Sequence, residues 1–136
     1  MKDQYDNELI RIVIESNENL GINGFYWGYM DEQFRGSKEE LYNSVNKIIL
    51  CLEWLDRYLN YFTYFSSYYC FASKVKEMIE KPNGPNIPLG CVIVALLYNY
   101  NRIEYEKEFG KKDLIFRLPS TERDELKRIE KVIYEL

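Results

Sequence analysis

Leu89 to Tyr98 is a run of ten residues without one charged side chain. A helix that is apolar on every side has to be surrounded by the rest of its fold. The run is also far too short to span a bilayer. Its borders are sharp. Pro82-Asn83-Gly84-Pro85 must end whatever helix precedes it, because proline breaks the hydrogen-bond ladder and Asn-Gly supplies positive backbone angles. Pro88 then suits a first helical turn. A buried central helix over 88–99 is therefore the first expectation, and everything else has to be arranged around it.

The partners of that helix are visible as periodic patterns. Ser37-Lys38-Glu39-Glu40 reads as a capping box. From there Leu41, Val45, Ile48, Ile49, Leu52, Leu55, Leu59 and Phe62 recur at steps of three and four, which predicts a long helix. Around Thr63 to Ser67 the pattern turns apolar on nearly all sides. Either the helix continues there, or Ser66 or Ser67 caps a new one. A second helix reaches Lys81 with Phe71, Val75, Met78 and Ile79 on its inner face. Arg102–Phe109 and Asp113–Leu118 read as two strands around a Gly-Lys-Lys turn, and a last helix follows Ser120. Near the start, Ile10, Ile12 and Ile14 alternate like a strand, while Tyr5, Leu9, Ile12 and Val13 fit one helical face; the balance leans to helix. Gly21, Gly24 and Gly28 turn the backbone between Phe25, Tyr26, Trp27 and Tyr29. The fold class expected is mostly α with a β-hairpin (α+β): a single compact domain over 1–136 with a long central helical segment. Its C-terminal half, helix, turn, helix, hairpin, has the order of a winged helix–turn–helix.

Composition narrows the chemistry. The chain has no histidine, which removes the commonest general base, proton shuttle and metal ligand. Cys51, Cys70 and Cys91 form no Cys-x-x-Cys pair and read as small buried hydrophobes in a reducing compartment. The glycines lack the lysine and preceding strand of a phosphate loop. A non-enzymatic protein without metal or cofactor is expected, cytoplasmic and not membrane-bound, because the first residues are polar and charged. The net charge of −4 comes from residues 1–36, which hold three basic and seven acidic side chains, against fifteen of each from 37 to 136. A generally basic nucleic-acid binder is thereby excluded, whereas an acidic contact surface for a basic partner is not.

Nine aromatic side chains lie in the eighteen positions from Trp54 to Phe71. Tyrosine offers large contact area with little entropy to lose. Tyr61, Tyr64 and Tyr68 fall away from the apolar stripe, making them candidate partner-binding residues. Tyr26, Trp27 and Tyr29 of the glycine-rich loop join them, with Asp31 and Glu32 alongside. The same tyrosines also suit homo-oligomerisation. The competing reading is a winged-helix DNA-binding regulator whose Lys111, Lys112 and Arg102 touch phosphate. Against it, no Lys or Arg occurs between Pro88 and Asn101, where a reading helix would need them.

Val75-Lys76 through Glu80, Gly84, Asn86-Ile87, Gly90, Ile93, Ala95 and Tyr100, ending in a short strand at Ile115-Phe116, resembles small proteins of bacterial mobile elements and phages. Those proteins read approximately Leu-Lys-His, then Glu, then Tyr-Ile-Ser-Asn-Gly and Phe-Ile-x-Ala-Ala. Glu77 stands in place of the histidine, Pro88 and Leu89 in place of Ser-Asn, and Leu96 in place of the second alanine. The likeness covers about a third of the chain. It implies a mobile-element accessory protein with no assigned activity, and the matched positions look structural. Combined with the acidic, aromatic-rich composition, it frames the expected function: a protein-binding factor acting on a host complex, in its sharpest form an anti-CRISPR-like inhibitor of a host defence nuclease.

Overall fold

A computed structural model describes residues 5–28, 32–59, 69–84 and 86–117. Among the described residues, five helices and five short strands follow in chain order. They are α1 (Asn7–Ser16), β1 (Leu20–Gly21), β2 (Gly24–Phe25), α2 (Glu32–Tyr42), α3 (Val45–Tyr58), β3 (Cys70–Phe71), α4 (Ala72–Asn83), α5 (Leu89–Tyr98), β4 (Glu104–Lys107) and β5 (Leu114–Arg117). The molecule is thus mostly α with a β-hairpin. No described helix is long and apolar enough to cross a membrane.

Helix α5 occupies the centre. Every residue from Gly90 to Leu97 is buried, enclosed by α3, α4, α1 and the β1–β2 hairpin. The apolar run requires this outcome: eight successive residues spread over more than two turns, so burying all of them takes neighbours on every side. Leu55 of α3, Ile79 of α4 and Ile10 of α1 belong to the same core. One contact leaves no slack. A Cβ built on Gly90 would lie 2.1 Å from the Gly21 carbonyl oxygen, and the Gly90 amide donates to Ile22 O at 2.8 Å.

The second half has the winged-helix connectivity. Strand, helix, helix and hairpin run in that order, and β3 pairs antiparallel with β5 to give a sheet ordered β3-β5-β4. The registers are Cys70↔Phe116 and Tyr105↔Phe116. Leu114 and Phe116 point into the core, while Ile115 and Arg117 are half-buried.

Some expectations hold and others change. Residues 8–15 are helical: Asp6 caps α1 by accepting from the amides of Glu8 and Leu9, and Ile10, Val13 and Ile14 form the buried face. Ser37 does not open a helix. It lies inside α2, where its hydroxyl accepts from Ile22 N at 2.9 Å, so the apparent capping box is a tether to the N-terminal hairpin. The long periodic stretch is broken at Asn43-Ser44, where Ser44 Oγ donates back to Glu40 O at 2.7 Å. Such a bond competes with the ladder and favours a bend. Phe71 is not on an inner helical face; it belongs to β3 and is half exposed. Helix α4 stops at Gly84 with φ 86°, as the Asn-Gly pair predicts. The stretch 63–67, where the helix either continues or restarts, and the last helix after Ser120 lie outside the described residues.

Lys38, next to Ser37, completes the attachment of the N-terminal segment. Its ammonium donates to the carbonyls of Ile14 (3.0 Å), Asn17 (2.8 Å) and Leu20 (3.1 Å). A cation at the C-terminal end of α1 meets the negative end of the helix dipole and adds a charged donor to the Ile14 carbonyl, which also accepts from the Asn17 amide. Burial pushes the Lys38 pKa down, so the ammonium is held by its acceptors against a desolvation cost.

Candidate functional site: a clamped wing tip

The turn joining β4 to β5 is pinned from below by the N-terminal hairpin. Trp27 Nε1 donates to Lys111 O at 2.6 Å, and Phe25 N donates to Lys112 O at 2.9 Å. Gly24 permits the approach: it has φ 109°, and a Cβ there would sit 2.5 Å from Lys112 O. The backbone of two consecutive lysines is therefore fixed while both side chains project outward, exposed. Among the described residues, neither lysine has an ion-pair partner.

Aromatic rings gather at the same place. Phe109 is 84% exposed, with its ring centroid 5.2 Å from that of Trp27. Trp27 in turn packs on Phe25 at 6.3 Å, and Lys107 Nζ lies 5.3 Å above the Phe25 ring. Beside the turn, Phe71, Leu89 and Ile115 line an open groove of about 480 Å³. A phenylalanine this exposed gains nothing from burial in the monomer. Its place beside a hydrogen-bonded tryptophan gives an aromatic surface held in one arrangement.

The residues singled out in the sequence are thus sorted by the structure. Trp27, Lys111 and Lys112, taken from two competing readings, meet at one site. Tyr26 lies in an adjoining, smaller cleft that Lys112 also lines, where its ring packs tilted on Phe34 at 5.0 Å beside Asn23 and Ser37. Arg102 sits at the opposite end of the hairpin, 3.7 Å from Asp56. Tyr29, Asp31, Tyr61, Tyr64 and Tyr68 lie outside the described residues, as does the side chain of Glu32. Three acidic residues near the N-terminus have local partners: Asp6 caps α1, and Arg11 bridges Glu8 (2.6 Å) and Glu15 (3.9 Å). Phe109 and Phe71 escaped sequence reasoning. Phe109 sat at the end of an assumed strand and Phe71 in an assumed helix, and neither position signals exposure.

The three cysteines are buried and unpaired. Burial pushes the thiols of Cys70 and Cys91 up to about 12 and that of Cys51 higher still. They stay protonated at neutral pH and are poor nucleophiles. No family model matches the chain, and no characterised protein or solved structure matches it either.

Proposed function

We propose that the protein is a non-enzymatic binding factor whose contact surface is the clamped wing tip. The observation that carries this reading is Phe109, almost fully exposed against Trp27, on a turn whose backbone is already immobilised. Interfaces draw most of their affinity from a few aromatic anchors, and pre-ordering an anchor lowers the entropy lost on binding. The resemblance to phage and mobile-element proteins supports a host protein complex as the partner. A nuclease inhibitor is the most specific form of this proposal.

The winged-helix connectivity favours DNA as the second reading, but two features weigh against it. Helix α5, which would enter the major groove, is enclosed. Residues 104–113 carry Lys107, Lys111 and Lys112 against Glu104, Glu106, Glu108 and Asp113, a balance poorly suited to phosphate.

Capture from a bacterial host lysate, with and without nuclease treatment, separates the readings. The proposal expects a protein partner that survives nuclease, is lost with Phe109→Ala and is kept with Tyr100→Ala, since Tyr100 is an exposed aromatic away from the wing tip. Loss of capture after nuclease treatment, or indifference to Phe109→Ala, would refute it.

A further inference from the structure

The cleft beside the β1–β2 hairpin is walled by the rings of Phe25, Tyr26 and Phe34. Its volume is about 250 Å³, just below the range of pockets that take a whole drug-sized ligand. It has room for one ring system and not for a length of peptide. The wall is built before anything binds. Tyr26 N donates to Asn19 O at 2.7 Å and Phe25 N to Lys112 O at 2.9 Å, and the Tyr26 ring is set against Phe34. The carboxamides of Asn23 and Gln33 also line the cleft. Each carries both donors and an acceptor, and among the described residues neither has a hydrogen-bond partner. An aromatic wall and uncommitted hydrogen-bonding groups thus face the same small space.

Resting on the reading of the wing tip as a protein-contact surface, we propose that this cleft receives one tryptophan or tyrosine side chain of the partner. The flat ring packs on the wall through the offset and edge contacts that aromatic pairs prefer. Its indole N–H or phenol O–H donates to a carboxamide oxygen of Asn23 or Gln33. An aliphatic side chain loses the first interaction, and phenylalanine loses the second. Charge plays no part in the choice. The cleft adjoins the wing tip: Phe25 also packs on Trp27 at 6.3 Å, and Lys112 lines the cleft directly after Lys111, whose carbonyl Trp27 holds. A partner seated on Phe109 therefore finds a second anchor point beside the first, and tryptophan and tyrosine are enriched among such anchors. A nucleobase offers a similar ring, but it brings phosphate, to which the charge balance of residues 104–113 is poorly suited.

The test titrates the full chain with the N-acetyl amides of tryptophan, tyrosine, phenylalanine and leucine, and with adenosine, read by backbone amide NMR shifts. The tryptophan and tyrosine amides should saturate, moving Asn23, Tyr26, Gln33 and Phe34 and leaving Phe71 and Ile115 in place. They should bind about fivefold more tightly than the leucine amide, the effect of an aromatic contact. Over the phenylalanine amide the advantage should be about threefold, the effect of one hydrogen bond. Asn23→Ala with Gln33→Ala should erase that second advantage, and Tyr26→Ala should weaken every aromatic probe. Thermal unfolding of each variant checks that the fold is kept. No saturable shift would overturn the proposal, as would leucine or phenylalanine amide binding as tightly as the other two. So would shifts centred on Phe71 and Ile115, or adenosine binding more tightly than the tryptophan amide. Host-protein capture that depends on Phe109 but not on Tyr26, Asn23 and Gln33 overturns this inference and leaves the broader reading standing. Capture indifferent to Phe109 but lost with Asn23→Ala and Gln33→Ala does the reverse: the cleft would be the contact and the wing tip would not.

Discussion

Helix α5 and the wing tip are close neighbours in sequence, and the fold treats them in opposite ways. Helix α5 is the element that a winged helix would offer to DNA; here it is sealed on all sides, with Gly90 against the backbone of Gly21 and Ile22. The wing tip is normally the accessory part. Here it is fixed by Trp27 and Phe25, and it presents Phe109, Lys111 and Lys112. One N-terminal segment causes both effects. Its α1 and β1–β2 hairpin close over α5, and Phe25 of β2, with Trp27 just after it, holds the wing. The lesson is that connectivity does not assign a working surface. An added segment can bury one and build another within the same topology.

The contrast can be broken most severely at the α5 seal. Gly90→Val should destabilise the protein by about 3 kcal/mol or abolish folding, because the new side chain meets backbone that cannot step aside; denaturant titration checks this. Lys38→Met should cost about 2 kcal/mol in the same titration, since it removes one charged donor shared by the part-buried carbonyls of Ile14, Asn17 and Leu20. Trp27→Phe keeps an aromatic ring but removes the bond to Lys111 O, so a loss of about 1 kcal/mol is expected. That loss should be accompanied by faster amide exchange in the wing turn. Phe109→Ala should change stability by less than about 0.5 kcal/mol, because the ring is exposed, while weakening partner binding more than tenfold.

The smallest effect is a pH dependence. Glu80 Oε2 accepts from Lys76 Nζ at 2.9 Å and from Ile87 N at 3.1 Å, tying α4 to the turn before α5. The Lys76 bond, then the Ile87 amide, lowers the Glu80 pKa below the ordinary carboxylate value. A depressed acid stabilises the fold above its unfolded-state pKa and ceases to do so as pH falls through the folded one. Glu80→Gln should therefore be less stable than wild type at neutral pH, and the gap should close in acid. A gap that is constant with pH would contradict this role.

Much of the scaffold was legible because it rests on local rules. The charge-free run Leu89–Tyr98 could only be interior. Pro82 to Pro88 separated two helices, and alternation in 102–118 identified the hairpin. What was misread depended on distant partners. Ser37 looks like a cap in sequence because capping and tethering use the same hydroxyl, and only the amide of Ile22 decides between them. Strand β3 is two residues long, too short to show a period, and exists because β5 lies beside it. The site was half legible. Trp27, Lys111 and Lys112 stood out by residue type, but their meeting depends on a contact across 84 positions, which no periodicity encodes. Phe109 looked like one more apolar strand residue.

The central claim is that the N-terminal segment is a permanent part of the core over α5, so the wing tip, not the helix, faces partners. Native-state amide hydrogen exchange on the full chain tests it most directly. The amides of Val92 to Leu97 should exchange only through global unfolding, with the same denaturant dependence as Ile10, Val13 and Ile14 of α1. Exchange of those α5 amides through a smaller opening, in which α1 and the β1–β2 hairpin detach while α3 and α4 stay protected, would contradict it. It would show instead a removable cover over a helix that can be presented.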